Sequence, residues 1–155
     1  MRRLLLHLLP LALLAGCGNV ASAPPELGVR ALTFRPSPGK ARIYVYRPSK
    51  LVGSAARLKV AIDSQLVGKT ASGTFLMVEV VPGTYRVSGL TSESNRGVEV
   101  VAQPDSSYFF KLWPRVGFMS AQSGLEQVAA VEGMEAVRTL RMVPATWPVE
   151  TVARQ

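Results

Sequence analysis

The sequence predicts a mainly β fold, a small antiparallel β-sandwich that carries one short C-terminal helix. Three observations favour this class. From residue 41 onward, apolar and polar side chains alternate with a period of two, which is typical of strands with one buried face. Turn-forming groups of Pro, Gly, Asp and Ser interrupt the alternation at regular intervals. A helical period occurs once in the folded part, close to its C-terminal end.

The strands are expected to follow one another closely. The first is Ala41–Arg47, which is rich in β-branched and aromatic residues and stops at Pro48. Pro114 is expected to end a later, aromatic strand, because proline cannot donate a ladder hydrogen bond. The strands predicted after the first cover residues 57–63, 65–69, 74–81, 84–88, 97–102, 108–113 and 125–130. Turns are expected at Asp63-Ser64, at Pro82-Gly83 and at residues 104–107.

One helix is predicted after the strands, because Ala130, Met134, Val137 and Arg141 fall on one helical stripe. Pro144 is expected to end it. The predicted sandwich domain therefore spans residues 40–143, and residues 144–155 are expected to form an exposed tail. A domain of about 100 residues can bury enough surface to fold alone. Its core is expected to include the strand phenylalanines Phe75, Phe109 and Phe110.

The first 16 residues have the layout of a lipoprotein signal peptide. Two arginines precede an apolar run at residues 4–14, which is shorter than the roughly 20 residues needed to span a bilayer. The run leads into Leu-Ala-Gly-Cys at residues 14–17, which resembles the bacterial lipobox. This resemblance implies cleavage between Gly16 and Cys17, a diacylglycerol on the Cys17 sulfur and an acyl chain on its new amino group. The alternative is an ordinary signal peptide with an incidental cysteine.

A lipidated Cys17 would place the protein in the bacterial cell envelope, with the membrane as its first partner. Gly18 stands where lipoproteins retained at the inner membrane often have Asp, and this resemblance favours the periplasmic face of the outer membrane. Residues 17–39 are rich in proline and are expected to form an extended tether. At about 3.1 Å per residue, such a tether would hold the domain tens of ångströms from the bilayer.

Positive charge is concentrated near the predicted anchor. Loss of the leader's two arginines lowers Lys+Arg from 18 to 16 against 10 Asp+Glu, which leaves a net charge of +6. Residues 27–62 hold eight of these bases and no acid. One interpretation is attraction of this segment to anionic headgroups. The other is ordinary surface charge on the outward positions of strands.

Few groups suited to catalysis remain once the leader is removed. His7 and Cys17 are the only histidine and cysteine of the chain. The mature protein would therefore lack an imidazole, a free thiol and the common soft metal ligands. We expect no cofactor, no metal and no enzymatic activity. Nucleic-acid binding is not expected either, because aromatic residues are not interleaved along the basic segment.

Three side chains are candidate functional residues. Glu79 interrupts an apolar strand; it is the best residue for a carboxylate-based enzyme, but it also fits an outward position or a partner for a base such as Arg47. Arg47 itself is either a fixed guanidinium for a partner's carboxylate or phosphate, or an edge-strand charge that prevents aggregation or makes a local ion pair. Trp147, in the predicted tail, is a candidate partner contact, whereas Trp113 is expected to pack.

Three segments in order resemble the domain of unknown function 2846 family, which contains bacterial lipoproteins and secreted proteins. They are ARIYVYRPS at 41–49, KVAID at 59–63 and EVVPGTY at 79–85. The resemblance implies one small β-rich domain, similar to transthyretin-like and carboxypeptidase-regulatory-like sandwiches, and an envelope location. It transfers no catalytic residue.

The favoured hypothesis is therefore a lipid-anchored, non-enzymatic module that binds or braces another envelope protein. Its support is the missing catalytic inventory, the long tether and a fold whose sheet edges suit strand addition. The alternative is a carbohydrate- or peptidoglycan-binding module, which predicts an exposed, coplanar aromatic platform. A carboxylate-based enzyme is the third possibility.

Overall fold

Two β-sheets pack face to face, and two helices cover the outer face of the larger sheet. The computed structural model describes residues 20–51, 53–90, 95–116 and 121–147. The predicted β-sandwich is confirmed. In chain order the elements are α1 (Pro25–Ala31), β1 (Ala41–Arg47), β2 (Leu58–Ile62), β3 (Gln65–Thr70), β4 (Thr74–Val80), β5 (Gly83–Leu90), β6 (Asn95–Ala102), β7 (Ser107–Val116), β8 (Ala121–Val128), α2 (Ala130–Arg138) and β9 (Arg141–Met142).

The two sheets differ in strand direction. The smaller sheet, in the order β3-β2-β5-β6, is antiparallel throughout. The larger sheet, in the order β8-β7-β1-β4-β9, is mixed, because β1 runs parallel to β7 and β4 runs parallel to β9. The prediction of a wholly antiparallel sandwich therefore needs this one correction. No helix in the described part of the chain is long and apolar enough to cross a membrane.

Strand β1 is buried along its whole length because both of its faces are covered. Ala41, Ile43 and Val45 belong to the core between the sheets. Tyr44 and Tyr46, on the opposite face, belong to a second core under the helices. The chain thus forms three layers, and the alternation in β1 separates two buried faces rather than a buried and a solvated one.

The proline-rich segment is folded, so the prediction of an extended tether at residues 17–39 is wrong from Val20 onward. Residues 25–31 form α1, with Pro24 as its N-cap and Pro25 in the first turn. A proline at the first helical position costs little, because that N–H has no partner within the helix anyway. Ala31 and Phe34 are buried against Tyr44 and Phe109 of the larger sheet. The folded domain therefore begins well before residue 40.

The C-terminal boundaries also differ from the prediction. Helix α2 ends at Arg138, and Arg141 lies instead in the short strand β9 beside β4. The helix stops early because the chain after it joins the larger sheet, where the Val143 N–H donates to the carbonyl oxygen of Phe75 at 2.8 Å. Residues 144–147 are not a free tail, since the Thr146 N–H donates to the Val67 carbonyl oxygen at 2.8 Å.

Pro114 does not end β7, which continues to Val116. The register of β1 with β7 stops at Tyr46 and Lys111, so Pro114 has only β8 beside it. Proline is tolerated in a strand that is paired on one side alone. Strand β8 also differs from the predicted strand at 125–130, because it begins four residues earlier, at Ala121, and ends at Val128.

Candidate functional site

Glu79 forms an ion pair with Arg42, not with Arg47 as considered above. The two residues lie opposite each other in the antiparallel ladder between β4 and β1. The Arg42 Nε–H donates to Glu79 Oε2 at 3.0 Å, and the Ser37 N–H donates to the same oxygen at 3.1 Å. The other carboxylate oxygen lies 3.6 Å from a guanidinium nitrogen of Arg30. Glu79 thus joins β1, β4 and the segment that follows α1.

Arg42, which is only 2% exposed, also bonds to α1. Its Nη1 donates to the carbonyl oxygen of Arg30 at 2.9 Å, and the Tyr44 hydroxyl donates to that of Ala31 at 2.7 Å. The last carbonyls of a helix lack partners within the helix, and a cation is favourable near them. We call Arg30, Ser37, Arg42, Tyr44 and Glu79 the Glu79 cluster; it fastens the N-terminal segment to the larger sheet.

The electrostatics of Glu79 suit an ion pair better than proton transfer. Burial raises the pKa of the carboxyl group, but the hydrogen bonds from Ser37 and Arg42 outweigh it, and the resulting pKa is below the ordinary value. A carboxylic acid that acts as a general acid near neutral pH needs a raised pKa. The lowered pKa therefore favours the interpretation of Glu79 as a structural partner over the enzymatic one.

The lowered pKa predicts a pH-dependent contribution to stability. A depressed folded-state pKa gives stability that is present above the ordinary value of 4.5 and is lost as the pH falls through the folded-state pKa. We expect wild type to exceed Glu79→Gln in free energy of unfolding at pH 7, and the difference to shrink in acid. Urea denaturation of both proteins between about pH 7 and pH 3 measures this difference. A difference that stays constant over the whole range would contradict it.

Arg47 is buried, at 2% exposure, and both of its terminal nitrogens donate within the chain. Its Nη1 donates to the Ala56 carbonyl oxygen at 2.6 Å, and its Nη2 donates to the carbonyl oxygen of Gly53. Burial lowers the pKa of the guanidinium, and the charge of Arg57 lowers it further. Since β1 is the middle strand of its sheet, the edge-strand interpretation is wrong. A contact between Arg47 and a partner stays a prediction. It would require the segment that holds Gly53 and Ala56, between β1 and β2, to move away from the guanidinium.

Trp147 lies at the side of the sandwich where β3 ends the smaller sheet. Its ring meets that of Tyr85 edge to face, with centroids 6.3 Å apart and an interplanar angle of 71°. An open groove of about 420 Å³ lies beside it, and Leu66 on its wall is 45% exposed. We call this side the Trp147 edge; it consists of Gln65, Leu66, Tyr85, Ala145, Thr146 and Trp147.

The aromatic pair at the Trp147 edge does not form a flat platform. Sugar rings stack on coplanar, exposed aromatic faces, whereas Tyr85 and Trp147 are close to perpendicular. The Tyr85 hydroxyl is also used, because it donates to the Val81 carbonyl oxygen at 2.8 Å. This pair therefore gives no support to the carbohydrate-binding alternative. The other aromatics lie as predicted: Phe75, Phe109 and Phe110 are buried, and Trp113 packs on Gly124.

Strand β6 presents backbone groups at the opposite side of the sandwich. It pairs with β5 along all eight of its residues. In β5, the Arg86 N–H donates to the Asp63 carboxylate, and the Arg86 carbonyl oxygen accepts from the Asp63 N–H; Asp63 follows β2. The backbone groups of Arg86 therefore point toward β2. Those of its neighbours Tyr85 and Val87 point the opposite way, toward β6. Their partners in β6 are Val100 and Val98. The backbone N–H and C=O groups of Gly97, Glu99 and Val101, which alternate with these residues in β6, therefore point away from β5, at the edge of the sheet.

Sequence reasoning missed the Glu79 cluster apart from Glu79 itself. The alternation in β1 was interpreted as one buried and one solvated face, and Arg42 was counted among the bases expected at outward positions of strands. Two tyrosines at a spacing of two residues were the signal that could have indicated a second buried face, since aromatic residues there bury a large area. Gly16 and Cys17, the predicted cleavage and lipid-attachment residues, lie outside the described part of the chain, so those roles stay predictions.

The part of the chain that forms most of the sandwich strands is similar to known proteins. A family model described as "Protein of unknown function (DUF2846)" matches residues 37–125, from the turn before β1 into β8. An uncharacterized protein of Haemophilus influenzae (strain ATCC 51907 / DSM 11121 / KW20 / Rd) is 29% identical over 131 residues, which cover 84% of this chain and 77% of the relative. This second alignment is longer than the match to the family model, so the similarity extends beyond the residues that the family model covers.

Proposed function

The chain belongs to the DUF2846 family, and from this premise we propose that it is a lipid-anchored, non-enzymatic protein of the bacterial cell envelope that binds another protein. The lipobox-like residues at 14–17 support the anchor, and the bacterial source of the relative is consistent with it. Glu79 is the best candidate for catalysis, but its carboxylate accepts hydrogen bonds from Arg42 and Ser37 within the fold, and this supports a binding role over a catalytic one.

The outward-facing backbone of β6 is the observation that carries the binding role. Within the described residues, β6 pairs with β5 alone, and the backbone groups of Gly97, Glu99 and Val101 have no backbone partner. An unpaired strand edge is a template for an extended polypeptide, which adds a strand through main-chain hydrogen bonds. The part of the partner that binds β6 would therefore be a segment of about six residues in extended conformation.

Side chains beside this edge would add specificity. Val101, which is 56% exposed, stands on the outer face of the sheet, and Val81 is exposed where the chain enters β5. Alternate residues of an added strand would lie over the same face as Val101. Apolar residues at every second position of the partner segment would therefore be favoured.

Disruption of the β6 edge tests this proposal. A lysine on an edge strand discourages the addition of a further strand, so Val101→Lys is expected to reduce partner recovery several-fold in pull-downs from crosslinked envelopes. Val131→Lys is the matched control, because Val131 is also an exposed valine, on α2 and away from the β6 edge. Wild type and Val131→Lys should recover the same protein in equal amounts. Equal recovery by Val101→Lys would exclude the β6 edge, and recovery of the bait alone by wild type would contradict the binding role.

A further inference from the structure

The folding of the proline-rich segment shortens the connection to the predicted anchor. Residues 20–23 are fixed on β9: the Ala23 N–H donates to the Met142 carbonyl oxygen at 3.0 Å, and Arg141 donates to the carbonyl oxygen of Val20 and to the Ser22 hydroxyl. Val20, the first of these residues, is three positions after Cys17 in the sequence. A chain of three residues spans no more than about 10 Å, at about 3.5 Å per residue, and this limits the length of any connection from Val20 to a lipid on Cys17.

A lipid on Cys17 would leave little space between the domain and the membrane. The headgroup layer on each side of a bilayer is about 6 Å thick. A connection of about 10 Å thus spans little more than this layer. The domain would touch the bilayer surface, in contrast to the tens of ångströms of separation that an extended tether predicts.

The start of the fold lies on the same side of the sandwich as the Trp147 edge. Strands β9 and β3 are the end strands of the two sheets on this side. The chain passes from one to the other through residues 143–146, which bond to Phe75 of the larger sheet and Val67 of the smaller. Val20, Ala145 and Trp147 pack against the same core between the sheets. A lipid attached near Val20 would therefore bring this side toward the membrane.

The side chains of this side suit a membrane surface. Tryptophan is enriched at membrane–water interfaces, where its ring contacts acyl chains and its N–H contacts headgroups. Leu66 adds exposed apolar surface, and Lys69 and Arg141 are exposed bases on β3 and β9. Bases close to a bilayer are attracted to anionic headgroups.

We propose that the Trp147 edge rests on the lipid bilayer that holds the acyl chains of Cys17. This inference depends on the lipid anchor of the proposed function. The opposite side of the sandwich, with the β6 edge, would then face away from the membrane and be accessible to a partner. Of the exposed surfaces in the described part of the chain, the Trp147 edge would be the one in contact with lipid.

Tryptophan quenching tests this orientation, because Trp113 and Trp147 are the only tryptophans of the chain. The full-length lipidated protein is reconstituted into vesicles of zwitterionic and anionic phospholipids whose acyl chains are brominated near the headgroup. Trp113→Phe leaves Trp147 as the only reporter, and Trp147→Phe leaves Trp113, which is on β7, three strands away from β9. We expect about twofold stronger quenching of Trp147, since an interfacial ring lies within reach of these bromines.

Flotation of the same vesicles distinguishes failure of the lipid anchor from failure of the proposed orientation. Protein that does not float with the vesicles would contradict the anchor, and with it the proposed function. Protein that floats while Trp147 is quenched no more than Trp113 would overturn the orientation and leave the anchor standing. If Trp113→Phe unfolds, the difference in quenching between wild type and Trp147→Phe reports the same quantity with Trp113 unchanged.

Discussion

Replacement of Glu79 by alanine is expected to lower the free energy of unfolding by about 3 kcal/mol, because it leaves a buried guanidinium without its carboxylate. Arg42 is 2% exposed and its Nε donates to Glu79 at 3.0 Å. The Ser37 N–H loses its acceptor in the same variant. In a domain of this size, such a loss corresponds to a fall in Tm of about 10 °C.

Two further variants make the Glu79 prediction specific. Glu99→Ala removes an exposed acid from β6 and is expected to change stability by no more than about 0.5 kcal/mol. The double variant Arg42→Met, Glu79→Leu replaces both charges by apolar groups and should recover part of the loss. Recovery should be incomplete, because Arg42 also donates to the Arg30 carbonyl oxygen at the end of α1. A Glu79→Ala protein as stable as wild type would show that the cluster does not fasten the N-terminal segment.

Replacement of Gly133 by alanine is expected to destabilise the protein by about 2–3 kcal/mol, although alanine is the better helix former. Gly133 faces the larger sheet from α2, and a Cβ there would overlap the Cβ and ring of Phe109. Phe109 is buried between Tyr44 and Phe34, with its ring stacked on Tyr44 at a centroid distance of 4.7 Å. The ring therefore has little room to move, and α2 would be pushed off the sheet.

Gly28→Ala is the matched control, because it makes the same change in a helix with open space around it. No heavy atom lies within 4 Å of a Cβ built at Gly28. Helix propensity alone then applies, and we expect a gain of up to about 1 kcal/mol. Urea denaturation of both variants gives the two changes on one scale. A gain in stability from Gly133→Ala would contradict the close contact between α2 and β7.

The strands were predictable because their signals are local. Alternation and turn residues placed β1 within its observed bounds, and the Asp63-Ser64 turn is present, with both residues at positive φ. The parallel pairing of β1 with β7 was not predictable, since nothing in either strand encodes its neighbour. The pairing of strands that are far apart in sequence is determined by tertiary packing, which the local pattern of each strand does not contain.

The third layer was missed for a different physical reason. Prolines in the segment before β1 were interpreted as breakers, whereas Pro25 occupies the first turn of α1, where its ring is compatible with a helix. Once α1 was missed, no layer was expected over the second face of β1, and Arg42 was counted among the bases at outward positions of strands. The Glu79 cluster follows from the placement of this one short helix, which its seven residues do not reveal by period.

The proposals give the two sides of the sandwich different roles. On the side with β9 and β3, segments of the chain bond to both end strands: the Ala23 N–H donates to Met142 of β9, and the Thr146 N–H donates to Val67 of β3. On the other side, β6 and β8 each pair with one described strand. A protein anchored through the first side would present the second to the periplasm, where an extended partner segment could reach it.

Mass spectrometry of the native protein's N-terminal peptide tests the lipid anchor most directly. We predict a peptide that begins at Cys17, with a diacylglyceryl group on its sulfur and an acyl chain on its amino nitrogen. A Cys17→Ser protein should retain the unprocessed leader and carry no lipid. A native peptide that retains Met1 and an unmodified Cys17 thiol would contradict the anchor, the envelope location and the membrane-facing role of the Trp147 edge.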